Sequence, residues 1–404
     1  MLLRPTGTSP RTRGSLGSAR PGRFVLGSAT ALTLVLTAGC SSGGDGGASA
    51  GEDSSGLVTE AQALIDEYKA QPEFQAPGPA YDASQLQGRT VALVAIDLRV
   101  PALAEVVEGV QEAAEQVGMN VTVFDAQSNP SLMNQGLDQA MNSKVDAIVS
   151  VGLIIDLISD QIATAKEAGI PMVDVINTPP ESGVPGQGSD PNMFGNVAPD
   201  YYLFGRLQAA AAIVHTDGKA HVGIMNTSEL TAASTIVAGM TDTFDECGSC
   251  DYVETDTALN DWSTKLPNQA ASLIRGNPEL NFLAPIYDNM AVFASAGVRQ
   301  AGAASRVGMA SNDGTAAALA LIEDGDTMVA DIAHNNVWAA WAALDQAMRG
   351  MLEMEPADPV LPIRYVDAEV LESENADTSS QPSVNEALLG EDYRAGFLEL
   401  WGLS

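Results

Sequence analysis

The chain has 404 residues, of which 45% are hydrophobic and 5% aromatic, and this length favours two globular domains over one. It carries 52 acidic against 19 basic side chains, a formal net charge of −33 at pH 7. Such a negative field repels phosphate backbones and therefore excludes nucleic acid as a partner. No apolar run reaches the roughly 18–20 residues that a membrane-spanning helix requires, so a polytopic membrane protein is also excluded.

The first forty residues have the pattern of a bacterial export signal. Residues 1–39 contain five arginines and no acidic residue, and they end in an apolar stretch, residues 24–38. The sequence LTAGC that closes this stretch resembles a lipobox, in which the cysteine is lipidated and becomes the new N-terminus. The resemblance implies a lipid on Cys40 that anchors the chain to the extracytoplasmic face of the cell membrane. Plain secretion with a free Cys40 thiol is the alternative.

The two other cysteines, Cys247 and Cys250, form a C-x-x-C pair. In an exported chain we expect a disulfide across a turn, because a redox motif would follow a strand and open a helix. Here a helix-like stretch precedes the pair and a strand-like stretch follows it. We expect no metal site, since zinc would need two further ligands and the three histidines show no ligand spacing: His215, His221 and His334.

Regular secondary structure is predicted to start after a flexible stretch. Residues 40–56 are rich in Gly, Ser and acidic residues, which is typical of a tether. Residues 57–71 have helical periodicity and a proline-rich passage follows, so residues 57–87 are expected to form a short helix and a lead-in. The first alternating run has predicted strands at residues 90–96, 120–125, 146–152 and 170–176, and helices at residues 102–117, 131–142 (with Ser131 as its N-cap) and 156–168.

An irregular segment, residues 177–196, separates this run from a second one. The second run has predicted helices at residues 200–215, 232–246, 262–275, 290–301, 315–323 and 337–349, and strands at residues 221–226, 251–255, 280–287, 306–311 and 328–333. Two such runs predict an α/β protein with two Rossmann-like parallel sheets. Ligands of open parallel sheets bind beyond the carboxyl ends of the strands, so candidate site residues are sought there.

Short motifs in both runs are similar to those of type I periplasmic binding proteins of the ribose-binding kind. The motifs are DAQSNP at residues 125–130, DW at 261–262, YDNMA at 287–291, NDGT at 312–315 and ADIAHN at 330–335. The resemblance covers residues 88–364 and implies two lobes joined by a three-crossing hinge. It implies a first lobe of residues 88–199 plus 335–364, a second lobe of residues 200–334, and a C-terminal extension of residues 365–404.

The resemblance also implies a function. It indicates a monomeric receptor, without a cofactor, that holds a small molecule between its lobes and delivers it to the membrane permease of an ABC importer. The chain has no nucleophile-elbow, zinc-protease or phosphate-loop motif, so we do not expect an enzyme. A lipid-anchored sensor that presents bound solute to a chemoreceptor or histidine kinase is the alternative, and a secreted hydrolase on the same scaffold is a third hypothesis.

Family positions that stack on a sugar ring or bind it with charged side chains hold other residues here. The aromatic positions after the first strand match Val100, Ala102 and Leu103, and an Asp–Arg pair matches Ile176 and Asn177. These replacements favour a small sugar or a less hydroxylated molecule, such as a polyol or nucleoside, over a ribose-like ligand. The candidate ligand-binding residues are Asp97, Arg99, Asn177, Tyr201, Thr231, Trp262, Tyr287, Asp288, Asp313 and His334.

Several of these candidates have a structural alternative. Asp97 and Arg99 could pair with each other, Trp262 could belong to the core, and Asp288 could bond to backbone amides. Tyr201 and His334 could pack in the hinge. If His334 contacts the ligand, binding is expected to vary with pH near the ordinary histidine pKa, at about 6–7.

Overall fold

Apolar strands that alternate with helices fold into two separate sheets in the computed structural model, which describes residues 50–178, 190–357, 359 and 361–404. The expected export signal, Cys40 and most of the expected tether lie outside the described residues. The first sheet is parallel, in the order β2-β1-β3-β4-β5. Its strands are β1 (Thr90–Ala95), β2 (Asn120–Asp125), β3 (Ala147–Val151), β4 (Met172–Val175) and β5 (Gly195–Val197).

The second sheet has the order β11-β10-β9-β8-β6-β7. Its strands are β6 (His221–Asn226), β7 (Asp251–Asp256), β8 (Phe282–Pro285), β9 (Gly308–Asp313), β10 (Met328–His334) and β11 (Ile363–Asp367). All are parallel except β11, which pairs antiparallel with β10. Ile363 and Arg364, which the sequence assigned to the first lobe, therefore belong to the second sheet, because their backbones pair with His334 and Ala333.

Helices cover the faces of both sheets, and α10 packs against α2 and the strands β3, β4 and β5 of the first sheet. Helix α5 packs against α6 and the strands β9 and β10 of the second sheet. The helices are α1 (Ala50–Glu67), α2 (Pro101–Val117), α3 (Pro130–Asn142), α4 (Ser159–Glu167), α5 (Tyr201–His215), α6 (Ala233–Asp245), α7 (Trp262–Gly276), α8 (Asp288–Gln300), α9 (Ala316–Glu323), α10 (Asn336–Met351), α11 (Ala368–Ser373), α12 (Gln381–Val384) and α13 (Asp392–Leu400). Among the described residues, none of these helices combines the length and apolarity needed to cross a bilayer.

Two helix boundaries differ from the sequence predictions. Helix α1 already begins at Ala50, inside the expected tether, and continues through Gly56 to Glu67. The N-cap of α3 is Asn129 rather than Ser131. The Asn129 side chain accepts hydrogen bonds from the first free amides of the helix, including that of Ser131 at 2.9 Å. Accepting from these amides is the function of an N-cap residue.

Part of the chain outside the two alternating runs packs onto the first lobe, whereas α1 packs against α5 of the second lobe. Trp401 stacks on Trp341 of α10 with ring centroids 5.3 Å apart. Its indole Nε1 and the hydroxyl of Tyr81 donate to Asp345 Oδ1 at 2.9 Å and 2.8 Å, and Asp345 also pairs with the buried Arg349 at 2.8 Å. A buried ion pair needs such additional hydrogen bonds to offset its desolvation. The C-terminal segment therefore completes the α10 face of the first lobe.

The C-x-x-C pair closes a turn at the edge of the second lobe. A disulfide joins Cys247 and Cys250, whose Cα atoms are 5.3 Å apart. The turn connects α6 to β7, and the amide of Cys250 donates to the Cys247 carbonyl at 3.2 Å. The pair lies between a helix and a following strand, the order that the sequence indicated for a structural disulfide.

Candidate ligand-binding site

A cavity lies between the two lobes, where the carboxyl ends of strands from both sheets meet. Its volume is about 60 Å³, several times what one ordered water requires. Six of the ten candidate residues line it: Asn177, Tyr201, Trp262, Tyr287, Asp313 and His334. The other lining residues are apolar or glycine: Ile96, Val100, Ala102, Leu103, Gly152, Ile176, Leu230 and Leu259.

Asp313, the last residue of β9, contributes the acidic group of the cavity. It is 8% exposed, and its backbone has a φ of 132°, a conformation that non-glycine residues rarely adopt. Burial, reinforced by the nearby charge of Asp288, raises the pKa of the Asp313 carboxyl well above its usual range. No lysine or arginine is among the described residues that line the cavity, so this carboxyl has no opposing cation there and can exchange hydrogen bonds with the hydroxyls of a neutral ligand.

Two further carboxyls, those of Asp288 and Asp331, hold the turn that follows Asp313. Asp288 accepts hydrogen bonds from Ser311 Oγ at 2.5 Å and from the Thr315 amide at 2.7 Å, so it does not line the cavity. Asp331 on the neighbouring strand accepts from the Gly314 amide at 3.0 Å. Asp288, predicted to bind ligand, instead has the structural role that was its alternative. Asp331 was missed, although a lone acid in an apolar strand was the signal.

The C-terminal segment reaches the same turn from outside. Gln381 donates its Nε2 to the Gly314 carbonyl at 2.9 Å and accepts from the Ala316 amide at 2.7 Å. The backbone on both sides of Thr315 is thereby fixed by a residue beyond the region of family resemblance. Gln381 was missed for that reason, because the resemblance gave no role to residues after 364.

His334, at the chain crossing after β10, places an imidazole on the cavity wall. It is 2% exposed, and neither ring nitrogen has a hydrogen-bond partner among the described residues. Burial lowers the pKa of His334 to about 4, so the ring is neutral at physiological pH. A neutral imidazole can donate from one nitrogen and accept at the other. The pH dependence near 6–7 that the sequence suggested is therefore not expected from this residue.

Three aromatic side chains border the cavity. Trp262 begins α7 and donates its indole Nε1 to Thr227 Oγ1 at 2.8 Å, which fixes the ring in place. Its centroid lies 6.0 Å from that of Tyr287. Tyr201 begins α5 at the first crossing, and burial raises its pKa well above the usual value, so its hydroxyl stays protonated. The three rings offer faces for a ligand, and the two tyrosines add hydroxyls.

Asn177 lies on the first-lobe side of the cavity, and its amide is held from behind. Its Nδ2 donates to the Leu153 carbonyl at 2.5 Å and to Asp174 Oδ1 at 3.4 Å. Asp174 is buried in β4 and also accepts from Ser150 Oγ at 2.8 Å. Burial raises the pKa of Asp174 to about 7. Sequence reasoning missed Asp174 because it stands inside the strand rather than at its end.

Asp97, Arg99 and Thr231 lie at the rim and not on the cavity wall. The Asp97 carboxylate accepts from Arg99 at 2.5 Å and from Ser128 Oγ at 2.6 Å. Burial alone would raise the pKa of Asp97, but the bonds from Arg99 and Ser128 outweigh it and lower that pKa. Arg99 Nη2 reaches across to Asn260 Oδ1 of the second lobe at 3.1 Å. Thr231 Oγ1 accepts from the first-lobe amide of Ile155 at 3.5 Å. All three residues thus make contacts within or between lobes.

The first-lobe wall of the cavity is aliphatic. Val100, Ala102 and Leu103 line it, at the positions where the family has its aromatic wall. Gly152 has a φ of 66° and lies against Leu103 and Ile96, where an added Cβ would come within 3.2 Å of Leu103 Cδ2. Among the described residues, no cluster of His, Cys, Asp and Glu has a geometry that could hold a metal ion.

Solved structures with the same fold are solute-binding proteins. One belongs to a 5-methylthioribose transporter of Thermotoga lettingae, in complex with 5-methylthioribose; its TM-score is 0.67 at 18% identity, covering 77% of this chain and 98% of that one. Another is from Bacillus halodurans with bound myo-inositol, at a TM-score of 0.64 and 19% identity, covering 72% and 98%. A third, from Actinobacillus succinogenes with bound D-allose, has a TM-score of 0.61 at 22% identity, covering 70% and 99%.

No curated protein sequence matches the chain. Residues 92–351, more than half of the chain, match the family model described as a periplasmic binding protein domain. This match and the two-lobed structures confirm the resemblance and the α/β fold class that the sequence predicted. The family consists of binding proteins and not of enzymes. The chain belongs to the periplasmic binding protein family, with the type I fold.

Proposed function

We propose that the chain is the extracytoplasmic solute-binding lipoprotein of an ABC importer, anchored through Cys40 and acting as a monomer. Its ligand is a small sugar or sugar-like molecule bound in the cavity between the lobes. The observation that carries the proposal is that a buried carboxyl, Asp313, and a buried imidazole, His334, line the same cavity. Relatives of the same fold that hold D-allose, myo-inositol and 5-methylthioribose support the ligand class.

The geometry supports a clamshell mechanism. Ligand hydroxyls donate to Asp313 and exchange hydrogen bonds with His334 in the second lobe and its hinge, while Asn177 and the aliphatic wall contact the ligand from the first lobe. A ligand that touches both lobes favours the closed form by its difference in affinity for the two forms. A Kd of 1 µM corresponds to about −8 kcal/mol, which a few enclosed polar contacts can supply. ATP hydrolysis belongs to the importer.

Ligand binding is tested with the exported chain purified in detergent, by thermal-shift measurements over small sugars, polyols and nucleosides. Binders raise the unfolding temperature by mass action, and calorimetry then gives the Kd. We expect at least one sugar-like ligand to bind in the micromolar range and to lose at least ten-fold in affinity in Asp313→Asn. The absence of any hit at millimolar concentrations would contradict the proposed ligand class.

The anchor and the importer role need separate experiments. Cys40→Ser is expected to abolish incorporation of a labelled fatty acid into the chain, and a labelled Cys40→Ser chain would contradict lipidation at this residue. Deletion of the gene should abolish uptake of the labelled ligand. If uptake persists while a transcriptional or chemotactic response to the ligand is lost, the chain is the sensor that the sequence left open.

A further inference from the structure

The order of strands in each sheet separates polar from apolar residues along the cavity. From the hinge outward, the second-lobe strands β10, β9, β8, β6 and β7 are neighbours. The cavity residues at or after their carboxyl ends follow the same order: His334, Asp313, Tyr287, Leu230 and Leu259. The polar groups therefore lie at the hinge end of the cavity, and the leucines lie at its outer end.

The first lobe repeats this gradient. Its strands run β5, β4, β3 and β1 from the hinge outward. Asn177 follows β4, Gly152 follows β3, and Val100 comes after β1, while Tyr201, the first residue of the second-lobe helix α5, lies just after β5. Ile176, beside Asn177, is the one apolar side chain at the hinge end of this lobe. Both lobes thus place hydrogen-bonding groups near the hinge and aliphatic groups at the outer end.

Next to Val100 and Leu259 in the sequence, polar residues that do not line the cavity form hydrogen bonds between the lobes. Arg99 bonds to Asn260 across the cleft at 3.1 Å, and Asn260 Nδ2 donates to the Ser128 carbonyl at 3.5 Å. The Trp262 ring lies beside this end, with its Nε1 already donating to Thr227. A ligand hydroxyl in this region would lose its hydrogen bonds to water and contact mainly carbon atoms. Burying a hydroxyl without a new hydrogen bond costs binding free energy.

We propose that the ligand is a sugar-like molecule with an apolar substituent, such as a methyl or alkylthio group, at the end opposite its hydrogen-bonding hydroxyls. The hydroxyls lie at Asp313 and His334, and the apolar substituent lies between Val100 and Leu230. This inference rests on the proposed function, and it narrows the ligand class. It predicts that the site selects against a fully hydroxylated sugar of the same size.

Matched ligand pairs test the inference. The probes are 5-methylthioribose against D-ribose, and 6-deoxy-D-allose against D-allose, each titrated into the exported chain by calorimetry. Burial of one or two additional apolar carbon or sulfur groups predicts that the apolar member of at least one pair binds about ten-fold tighter. Equal affinity, or tighter binding of the hydroxylated member, in both pairs would overturn the inference.

Two substitutions locate the preference within the cavity. Val100→Ser and Leu230→Ser each exchange a half-buried aliphatic side chain on one lobe for a hydroxyl, and Val100 is an N-cap position where serine is well tolerated. We expect the ten-fold preference to fall toward unity in both variants, with affinity for the hydroxylated member unchanged or improved. Val123→Ser, on the exposed face of β2, is the matched control and should keep the preference.

The outcomes separate this inference from the proposed function. If hydroxylated sugars bind and Asp313→Asn weakens them, while the apolar members bind no better, the proposed function stands and the inference fails. If no member of either pair binds, the result counts against both. If the preference exists but survives both serine variants, the apolar substituent lies elsewhere and the assignment of the outer end is wrong.

Discussion

Replacing Asn260 with alanine removes two contacts between the lobes, the bond from Arg99 and the longer bond to the Ser128 carbonyl at 3.5 Å. The Asn260 side chain accepts from Arg99 Nη2 at 3.1 Å, and Arg99 stays bonded to Asp97 when Asn260 is truncated. The reverse substitution, at Arg99, is less informative, because it would leave the Asp97 carboxylate 2% exposed without its cation. Asn260→Ala therefore weakens the closed arrangement without disturbing the first lobe.

The expected loss of affinity in Asn260→Ala follows from the exposure of the Arg99 side chain. The Arg99 side chain is 69% exposed, so its bond to Asn260 is screened by water and contributes about 0.5–1 kcal/mol to the closed form. The ligand binds tightly only to the closed form, so this loss appears in the apparent Kd. At 1.4 kcal/mol for each ten-fold change, the Kd should rise about two- to five-fold.

Isothermal titration of ligand into wild type and Asn260→Ala measures this change. The matched control is Asn120→Ala, which removes an exposed asparagine that donates to the Gly88 carbonyl at 3.0 Å within the first lobe. The control should leave the Kd unchanged. An unchanged or lower Kd in Asn260→Ala would refute the assignment of these contacts to the closed form, and a change beyond about ten-fold would show that Asn260 contacts the ligand itself.

Three further predictions concern the site and the fold. Asp313→Asn should weaken binding at least ten-fold without lowering the unfolding temperature in the absence of ligand, since burial already penalises the charged form; a lower unfolding temperature would contradict this. His334 should add no pH dependence to ligand affinity between pH 6 and 8, because its pKa is about 4 and its ring stays neutral, so wild type and His334→Gln should change in affinity by the same factor over that range. Stability should fall over that range, because burial raises the pKa of Glu105 to about 8 and the folded state releases its proton only there; urea unfolding of Glu105→Gln should show a smaller fall. The double variant Cys247→Ser/Cys250→Ser should lose at most about 2 kcal/mol of stability, given its short loop, and keep its Kd; loss of binding would contradict a purely structural disulfide.

The sequence predicted the strands and their carboxyl ends well, for a physical reason. Buried parallel strands are short apolar runs bounded by turns, so the position after each run is visible from composition alone. Asn177 and Asp313 were found in this way, because each is a polar residue that follows a predicted apolar strand. The family resemblance added His334 at the last crossing, and Tyr201 and Trp262, which begin helices rather than end strands.

Pairing between polar residues could not be predicted from the sequence. Asp97 and Asp288 stand at strand ends like Asp313, but their carboxylates already accept hydrogen bonds within the protein, Asp97 from Arg99 and Asp288 from Ser311. Which acid has its hydrogen bonds satisfied by protein depends on the rotamers and distances of neighbours from other strands. The same limit applies to Asn260, whose partner is 161 residues away in the sequence and lies across the cleft.

The sequence analysis also did not predict the edge strands β5 and β11 or the packing of the terminal segments. β5 has three residues and β11 pairs antiparallel at a sheet edge, so neither carries a long apolar signal. The cavity leucines were missed because they stand in connections between the long helices and strands, Leu230 in a bend and Leu259 at the start of a three-residue 3-10 helix. An aliphatic residue in a loop gives no periodic signal, and its role appears only when the two lobes face each other.

A crystal structure with a bound sugar-like ligand would show directly where the solute binds. We expect ligand density between the two lobes, with hydroxyls within hydrogen-bond distance of the Asp313 carboxyl and a His334 ring nitrogen, and with the ligand beside the Trp262 ring. Density at any other place, or a cavity whose walls meet so that no ligand enters, would contradict the claim that this chain binds its solute between the lobes.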